Sequence, residues 1–338
     1  MRFVYILLVA VVVHKLSNSW LLQPLPSNLL VSPVPKDKVP RPLSLISYAG
    51  IKIDRSLVKA TRLYQGKIQG PESVFVGKDG NLVILDRYGN IYSAPSDDTN
   101  SSPKLIKYIG PGRPLGFHLI SGTNTLVVCD SLKGLLSVDL DSQDVHILTS
   151  SYISSNGTSD IPFEYANDLD ISKDGSRVYF SSSSSIPPYL NREGYYDTMQ
   201  SYLLTAMSGR PTGKLLSYNI HTKSTIVLVD GIFFANGVAL SQDESFVLVA
   251  ETVSMRIIRC WLKGPKAGTT DVFADRIPGY PDGIARSSDG SFYVAVVFLD
   301  NAFLRSLLNA HPMVRWALSW ISQLYKPLPK KMGIIIQV

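Results

Sequence analysis

The stretch Asn167-Asp168-Leu169-Asp170-Ile171-Ser172-Lys173-Asp174-Gly175-Ser176-Arg177-Val178-Tyr179-Phe180 decides the fold. Apolar residues alternate with polar ones, Asp174-Gly175 makes a turn, and a β-rich run follows. Alternation with a period of two describes a strand with one buried face. Asp-Gly between two such runs is a strong short-range hairpin signal. The unit recurs as Glu72 to Leu85 around Asp79-Gly80, as Asn236 to Val249 around Asp243-Glu244, and as Asp282 to Val296 around Asp289-Gly290. In each copy the turn begins seven residues after the first residue. A degenerate copy opens at Leu115 and turns at Gly122-Thr123-Asn124. The first residues are spaced 43, 52, 69 and 46 apart, the period of β-propeller blades. A β-sandwich does not account for the constant offset.

In a propeller the first residue of each unit opens the innermost strand. Glu72, Leu115, Asn167, Asn236 and Asp282 are therefore expected to converge at one end of the central axis. Four of the five carry side-chain oxygens. Two carboxylates and two carboxamides at one spot repel, or stay unsatisfied, unless a cation neutralises them. Mixed hard oxygen ligands suit Ca²⁺, whereas zinc calls for His or Cys. A single Asn or Asp at a strand start ordinarily bonds local backbone. Four at equivalent repeat positions favour a metal site made of Glu72, Asn167, Asn236 and Asp282.

Composition bounds the class. The chain has 338 residues, 45% hydrophobic and 18% charged, enough apolar surface to build a core. The net charge of +6 is scattered without a Lys/Arg run, which argues against nucleic acid as partner. Phe3 to Val13 is an unbroken apolar run after Met1-Arg2. It is short for a spanning helix and suits a signal-peptide core, so residues 1–22 are read as a signal peptide or signal anchor. The sequons at Asn100 and Asn156 agree with entry into the secretory pathway. Residues 23–42 carry six prolines and are expected to form an extended stalk or a surface strap; the propeller is placed at 43–338. An oxidising lumen permits a Cys129–Cys260 bridge, but two buried free thiols are the simpler expectation.

Gly70-Pro71-Glu72-Ser73, Gly112-Arg113-Pro114-Leu115-Gly116, Ala166-Asn167-Asp168-Leu169, Ala235-Asn236-Gly237-Val238, Val249-Ala250-Glu251-Thr252, Arg256-Ile257-Ile258-Arg259 and Pro278-Gly279-Tyr280-Pro281-Asp282 together resemble the strictosidine synthase-like family. This group lies within the wider superfamily of paraoxonases, senescence marker protein and gluconolactonase. The resemblance spans roughly residues 45–338 and implies a six-bladed propeller with an axial calcium held by the same four residues. The sequence departs from the family pattern in three places. Gly283 follows Asp282 where many relatives have Asn. Cys129-Asp130-Ser131 stands where paraoxonase-like lactonases place a catalytic histidine, which leaves Asp130 as the candidate base. Ile334 to Val338 reads as the opening of another strand, so the sixth blade is expected to be incomplete, and the glutamate base of true strictosidine synthases would fall in the portion not seen.

Other residues carry plainer readings. His118 and His146 lie on strands as structural histidines. Ser181 to Ser185 lacks the glycines of a nucleophile elbow. Glu251 and Arg256 suit an ion pair between blades. Residues 302–325 show near-helical apolar spacing with added cations and are expected to form a helical cap over the tunnel, able to rest on a membrane. The leading expectation is a secretory-pathway calcium propeller that hydrolyses a small ester or lactone. The alternatives are a non-catalytic binding or adhesion propeller with structural calcium, and a synthase condensing an amine with an aldehyde.

Overall fold

The computed structural model describes residues 29–42, 60–77, 79–98, 101–154, 157, 160–302, 305–306, 309–321 and 334–338. Five antiparallel sheets follow one another along the chain. Blade I comprises Val74–Val76, Leu82–Leu85, Asn90–Ala94 and Lys104–Tyr108, and blade II Pro114–Leu119, Thr125–Asp130, Gly134–Asp139 and Val145–Thr149. Blade III comprises Ala166–Ile171, Arg177–Ser182, Gly213–Asn219 and Ser224–Ile232, and blade IV Ala235–Leu240, Phe246–Glu251, Arg256–Trp261 and Thr270–Ala274. Blade V contains Gly279–Arg286, Phe292–Leu299 and Ile334–Gln337. The propeller expected from the repeats is the observed fold.

The core lies between blades, because each sheet buries one face against the next. Leu85 and Ile91 of blade I meet Phe117 and Leu126 of blade II. Cys129 and Leu135 meet Leu169 and Phe180, Leu215 meets Val238 and Val249, and Leu248 and Ile257 meet Ile284 and Val294. Cys129 and Cys260 are both buried and free, as expected of packed thiols.

Each hairpin turn is organised in the same way. The carboxylates of Asp79, Asp174, Asp243 and Asp289 accept the backbone N–H two residues on, at about 3.0 Å. The residue after the Asp lies in the left-handed region, with φ of 79°, 72°, 57° and 89° at Gly80, Gly175, Glu244 and Gly290. Glycine adopts this conformation without strain, which is why Asp-Gly marks the repeat.

Charged side chains fasten adjacent blades. Asp168 Oδ2 accepts from the Val238 N–H at 2.9 Å and Asp170 Oδ2 from Leu240 N–H at 2.8 Å. Arg286 Nη1 donates to the Leu240 carbonyl at 2.7 Å. Glu251 is wholly buried and accepts from Phe233 N–H, Lys38 Nζ and Arg256 Nε. Its ion pairs therefore run within blade IV and to the N-terminal segment, rather than between blades.

Three expectations change. Ile334–Gln337 pairs with Phe292–Leu299, Val294 facing Ile336, as the third strand of blade V. It does not open a sixth blade: Ile334 and Ile336 pack beside Phe292 in the blade IV–V core. Among the described residues the only sheets besides the five blades are two-stranded, Ser151–Ile153 with Asp160–Pro162 and Tyr189–Leu190 with Tyr196–Asp197, and neither is a sixth blade. The helix covering the axis is Thr198–Ser208, inserted between the second and third strands of blade III. Asp197 caps its start and Gly209 its end, with φ 68°. In the expected cap, the helix Pro312–Ile321 forms but packs on this inserted helix, where Arg315 Nη1 donates to the Met207 carbonyl at 2.9 Å.

Residues 29–42 form a strap, tied by Ser32 N–H to the Ser208 carbonyl at 2.7 Å and by Ser254 Oγ to the Lys38 carbonyl at 3.1 Å. The segment 1–22, the sequon residues Asn100 and Asn156, and residues 322–333 of the C-terminal region lie outside the described residues.

Removing an inter-blade fastener strands a buried N–H, which costs about 1–3 kcal/mol. Asp170→Ala is expected to lower the unfolding free energy by about 2 kcal/mol in urea titrations, and Asp289→Ala, in an exposed turn, by less. The reverse order would contradict the assignment of Asp170.

Candidate metal and ligand site on the axis

The innermost strand of blades II to V carries the same irregularity. The pairing register shifts between Pro114 and Phe117, Ala166 and Leu169, Ala235 and Val238, and Pro281 and Ile284. At each, two residues oppose one on the partner strand: Leu115-Gly116, Asn167-Asp168, Asn236-Gly237 and Asp282-Gly283. This is a β-bulge, which bends the strand and re-aims a side chain. The first residue of every bulge is the one whose repeat position was read as axial. At Gly116 and Gly237 the second must be compact, because the next blade comes close. A Cβ on Gly237 would lie 2.3 Å from the Asp282 carbonyl oxygen, and one on Gly116 2.2 Å from Asp168 Oδ1.

Glu72, Asn167, Asn236 and Asp282 line one cavity of about 420 Å³. Leu115, the apolar member of the set, is instead buried beside Tyr165 and Phe233. Asn236 Nδ2 donates to Asp282 Oδ1. Asn167 Nδ2 donates to Ser183 Oγ at 2.8 Å, which leaves Asn167 Oδ1 buried without a hydrogen-bond partner. An unpartnered buried carbonyl oxygen is unfavourable unless something electropositive meets it. Arg113 Nη2 lies 3.4 Å from Glu72 Oε2. Burial and the charge of Asp282 push Glu72 up to about 8, against the pull of Arg113. Its side chain keeps 33% of its surface, so cavity water tempers that push. Burial raises Asp282 as well, opposed by the hydrogen bond from Asn236. Asp168, next to Asn167, is raised by burial to about 7.

Among the described residues no group of three or more His, Cys, Asp and Glu side chains is placed to hold a metal. The axial set is of another kind, two carboxylates with two carboxamides, and its donor chemistry fits a hard cation. The orphaned Asn167 oxygen fits the same group.

The other wall is aromatic. Tyr165, Phe234 and Tyr280 join Tyr202 and Met199 of the inserted helix. Tyr202 stands edge-on to Phe234 at 5.1 Å and to Tyr280 at 6.2 Å.

Asp130 does not line this cavity. Its Oδ1 accepts from the Leu132 and Lys133 N–H groups at 3.0 Å, and the carboxylate packs on Gly112. Oδ1 organises the turn after its strand, while Oδ2 is buried without a hydrogen-bond partner, away from the residues that line the axial cavity. His118 keeps about half its surface on blade II, 3.8 Å from Asp170. The serine run is structural: Ser181 Oγ accepts from Asp168 N–H at 3.1 Å, Ser183 orients Asn167, and Ser184 bonds Thr205 at 2.7 Å. Sequence reasoning missed the inserted helix and the aromatic wall. The caps Asp197 and Gly209, flanking Leu203, Leu204 and Met207, were the available signal.

Face-packed radial blades define this chain as a β-propeller with a polar cavity at one end of its axis. A family model described as Strictosidine synthase matches residues 167–265, and one described as Strictosidine synthase-like, N-terminal, matches residues 55–94. Adipocyte plasma membrane-associated protein of Rattus norvegicus is 37% identical over 255 residues, covering 71% of this chain and 62% of that protein. The protein of the same name from Homo sapiens is 35% identical over 289 residues, covering 79% and 63%. The strictosidine synthase-like protein 10 of Arabidopsis thaliana is 39% identical over 185 residues, covering 55% and 45%. The chain thus spans less than two thirds of the length of these relatives. A solved gluconolactonase of Xanthomonas campestris superposes with a TM-score of 0.53 at 17% identity, over 68% of this chain and 71% of that one, a likeness of fold. The chain belongs to the strictosidine synthase-like family, alongside the adipocyte plasma membrane-associated proteins.

The raised carboxylates give a pH signature. Glu72, Asp282 and Asp168 bind protons more tightly folded than unfolded, so deprotonation opposes folding. The turn aspartates, held low by their hydrogen bonds, are ionised in both states above about pH 5. With chelator present, stability is expected to fall as pH rises from 5 to 8, and Glu72→Gln should flatten the fall. A wild-type profile that rises over this window would contradict the site electrostatics.

Proposed function

We propose that this chain binds one calcium ion through Glu72, Asn167, Asn236 and Asp282 and hydrolyses a small ester or lactone in the cavity above it. The observation that carries the reading is the buried, unpartnered Oδ1 of Asn167 in a cavity shared with two carboxylates. Calcium bound there would supply Lewis-acid polarisation of a carbonyl oxygen and stabilise negative charge developing on it.

The chain's own residues do the rest. Ser183 fixes the Asn167 amide so that its oxygen is the free atom. Arg113 holds Glu72 at the cavity edge. Glu72 is the axial carboxylate whose side chain reaches solvent, and it takes the proton from an attacking water, the role first assigned to Asp130. Phe234, Tyr202 and Tyr280 exclude bulk water and grip the apolar part of the ligand.

A second reading keeps the ion and drops the chemistry: a binding propeller with structural calcium. It is favoured by the absence of histidine from the cavity lining and by the position of Asp130. The amine–aldehyde condensation has only the match to the Strictosidine synthase family model in its favour. A secretory-pathway location, with membrane association, N-glycans at Asn100 and Asn156 and a signal segment, is proposed from the apolar run and the sequons. The names of the curated relatives agree with membrane association.

Calcium titration followed by melting, with phenyl acetate and δ-valerolactone as substrates, tests the proposal. Calcium should raise Tm and EDTA should abolish turnover. Asn167→Ala should weaken calcium binding at least tenfold, equivalent to about 1.4 kcal/mol, and abolish hydrolysis while the fold persists. A calcium-dependent Tm without turnover would leave the binding reading; no calcium effect at all would overturn both.

A further inference from the structure

Among its described side chains, the helix Pro312–Ile321 is built inside out. Arg315 on its inner side is fully buried, and its guanidinium donates to the carbonyls of Ala310 at 3.1 Å, Met207 at 2.9 Å and Ser32. One turn on, Ser319 is also buried. The outer side presents Met313, Val314 and Trp316, which are 68%, 46% and 47% exposed. A surface helix of a water-soluble domain turns its apolar stripe to the core and its charges outward. The reverse arrangement matches an apolar medium outside.

The strap identifies that medium. Ser32 is bonded both to Ser208 of the inserted helix and to Arg315, so the chain reaches this helix as it enters the described structure. Leu30, 64% exposed, stands in this entering segment. Leu29, Leu30 and the exposed Arg210 and Glu164 border one groove. The 28 residues preceding Leu29 contain the apolar run Phe3 to Val13. A segment of that composition, leading to an apolar helix face, matches the headgroup boundary of a phospholipid bilayer.

We infer that the face formed by Met313, Val314, Trp316 and Leu30 docks on a phospholipid surface, lying in the interface. No helix among the described residues is long and apolar enough to cross a membrane, so this contact is interfacial. Docking would set the inserted helix, and the cavity it borders, close to the lipid surface.

The full chain carrying a spin label at Met313→Cys tests this against vesicles of phosphatidylcholine with 30% phosphatidylserine; Cys129 and Cys260 are buried and spare the labelling. The label should become accessible to oxygen and protected from aqueous nickel on vesicles, while a control label at the Asn81 turn stays aqueous. Met313→Asp with Trp316→Asp should keep the melting temperature and weaken partitioning at least fivefold. The inference is overturned if the label stays aqueous on bound protein, if the chain does not bind vesicles, or if protection arises without lipid through a second copy of the chain.

Discussion

The arrangement depends on a backbone irregularity repeated four times. A regular strand would alternate its side chains between the two blade faces and send none to the axis. The bulge at Leu115-Gly116, Asn167-Asp168, Asn236-Gly237 and Asp282-Gly283 breaks that alternation where each inner strand begins. Asn167, Asn236 and Asp282 turn to the axial cavity, Leu115 packs beside Tyr165 and Phe233, and Gly116, Asp168 and Gly237 meet the next blade. Site and blade packing therefore share one local feature. Gly237 leaves room for the Asp282 backbone, and Asp168 uses its carboxylate to hold Val238.

That sharing explains the electrostatics of the cavity floor. Carboxylates carried to a propeller axis lose water on most sides, and Glu72 and Asp282 are raised accordingly. The protein supplies one cation, Arg113, at the edge, and leaves a buried carboxamide oxygen without a donor. Such a floor is unfavourable for folding by itself and becomes favourable when positive charge is delivered to it. Opposite it, aromatic side chains on an inserted helix give the cavity an apolar roof, a division common to small-molecule sites.

The hairpins and their axial residues were legible because they rest on local rules. The Asp-Gly turn needs a left-handed residue and a side-chain acceptor, and both show in the sequence at a constant offset. Strand alternation then fixed which residue opens each unit. The inserted helix was not read: Met199, Tyr202 and Met207 lie within a long interval, marked as an insertion by its length and as a helix only by the caps Asp197 and Gly209. Asp130 was singled out because its position in sequence matched a catalytic position in relatives, whereas its Oδ1 holds the Leu132 and Lys133 N–H groups and the residue does not line the axial cavity. The terminal isoleucines misled because alternation identifies a strand without naming its partner. Ile336 faces Val294, a pairing across a long interval that no local pattern encodes.

The central claim is that four residues distant in sequence form one cation site. Crystals of the full chain grown with calcium, then exchanged with terbium, test it through anomalous scattering. The account predicts a single strong peak at about 2.3–2.6 Å from the side-chain oxygens of Glu72, Asn167, Asn236 and Asp282. No axial peak, or a peak bound elsewhere while these oxygens keep only protein partners, would contradict it.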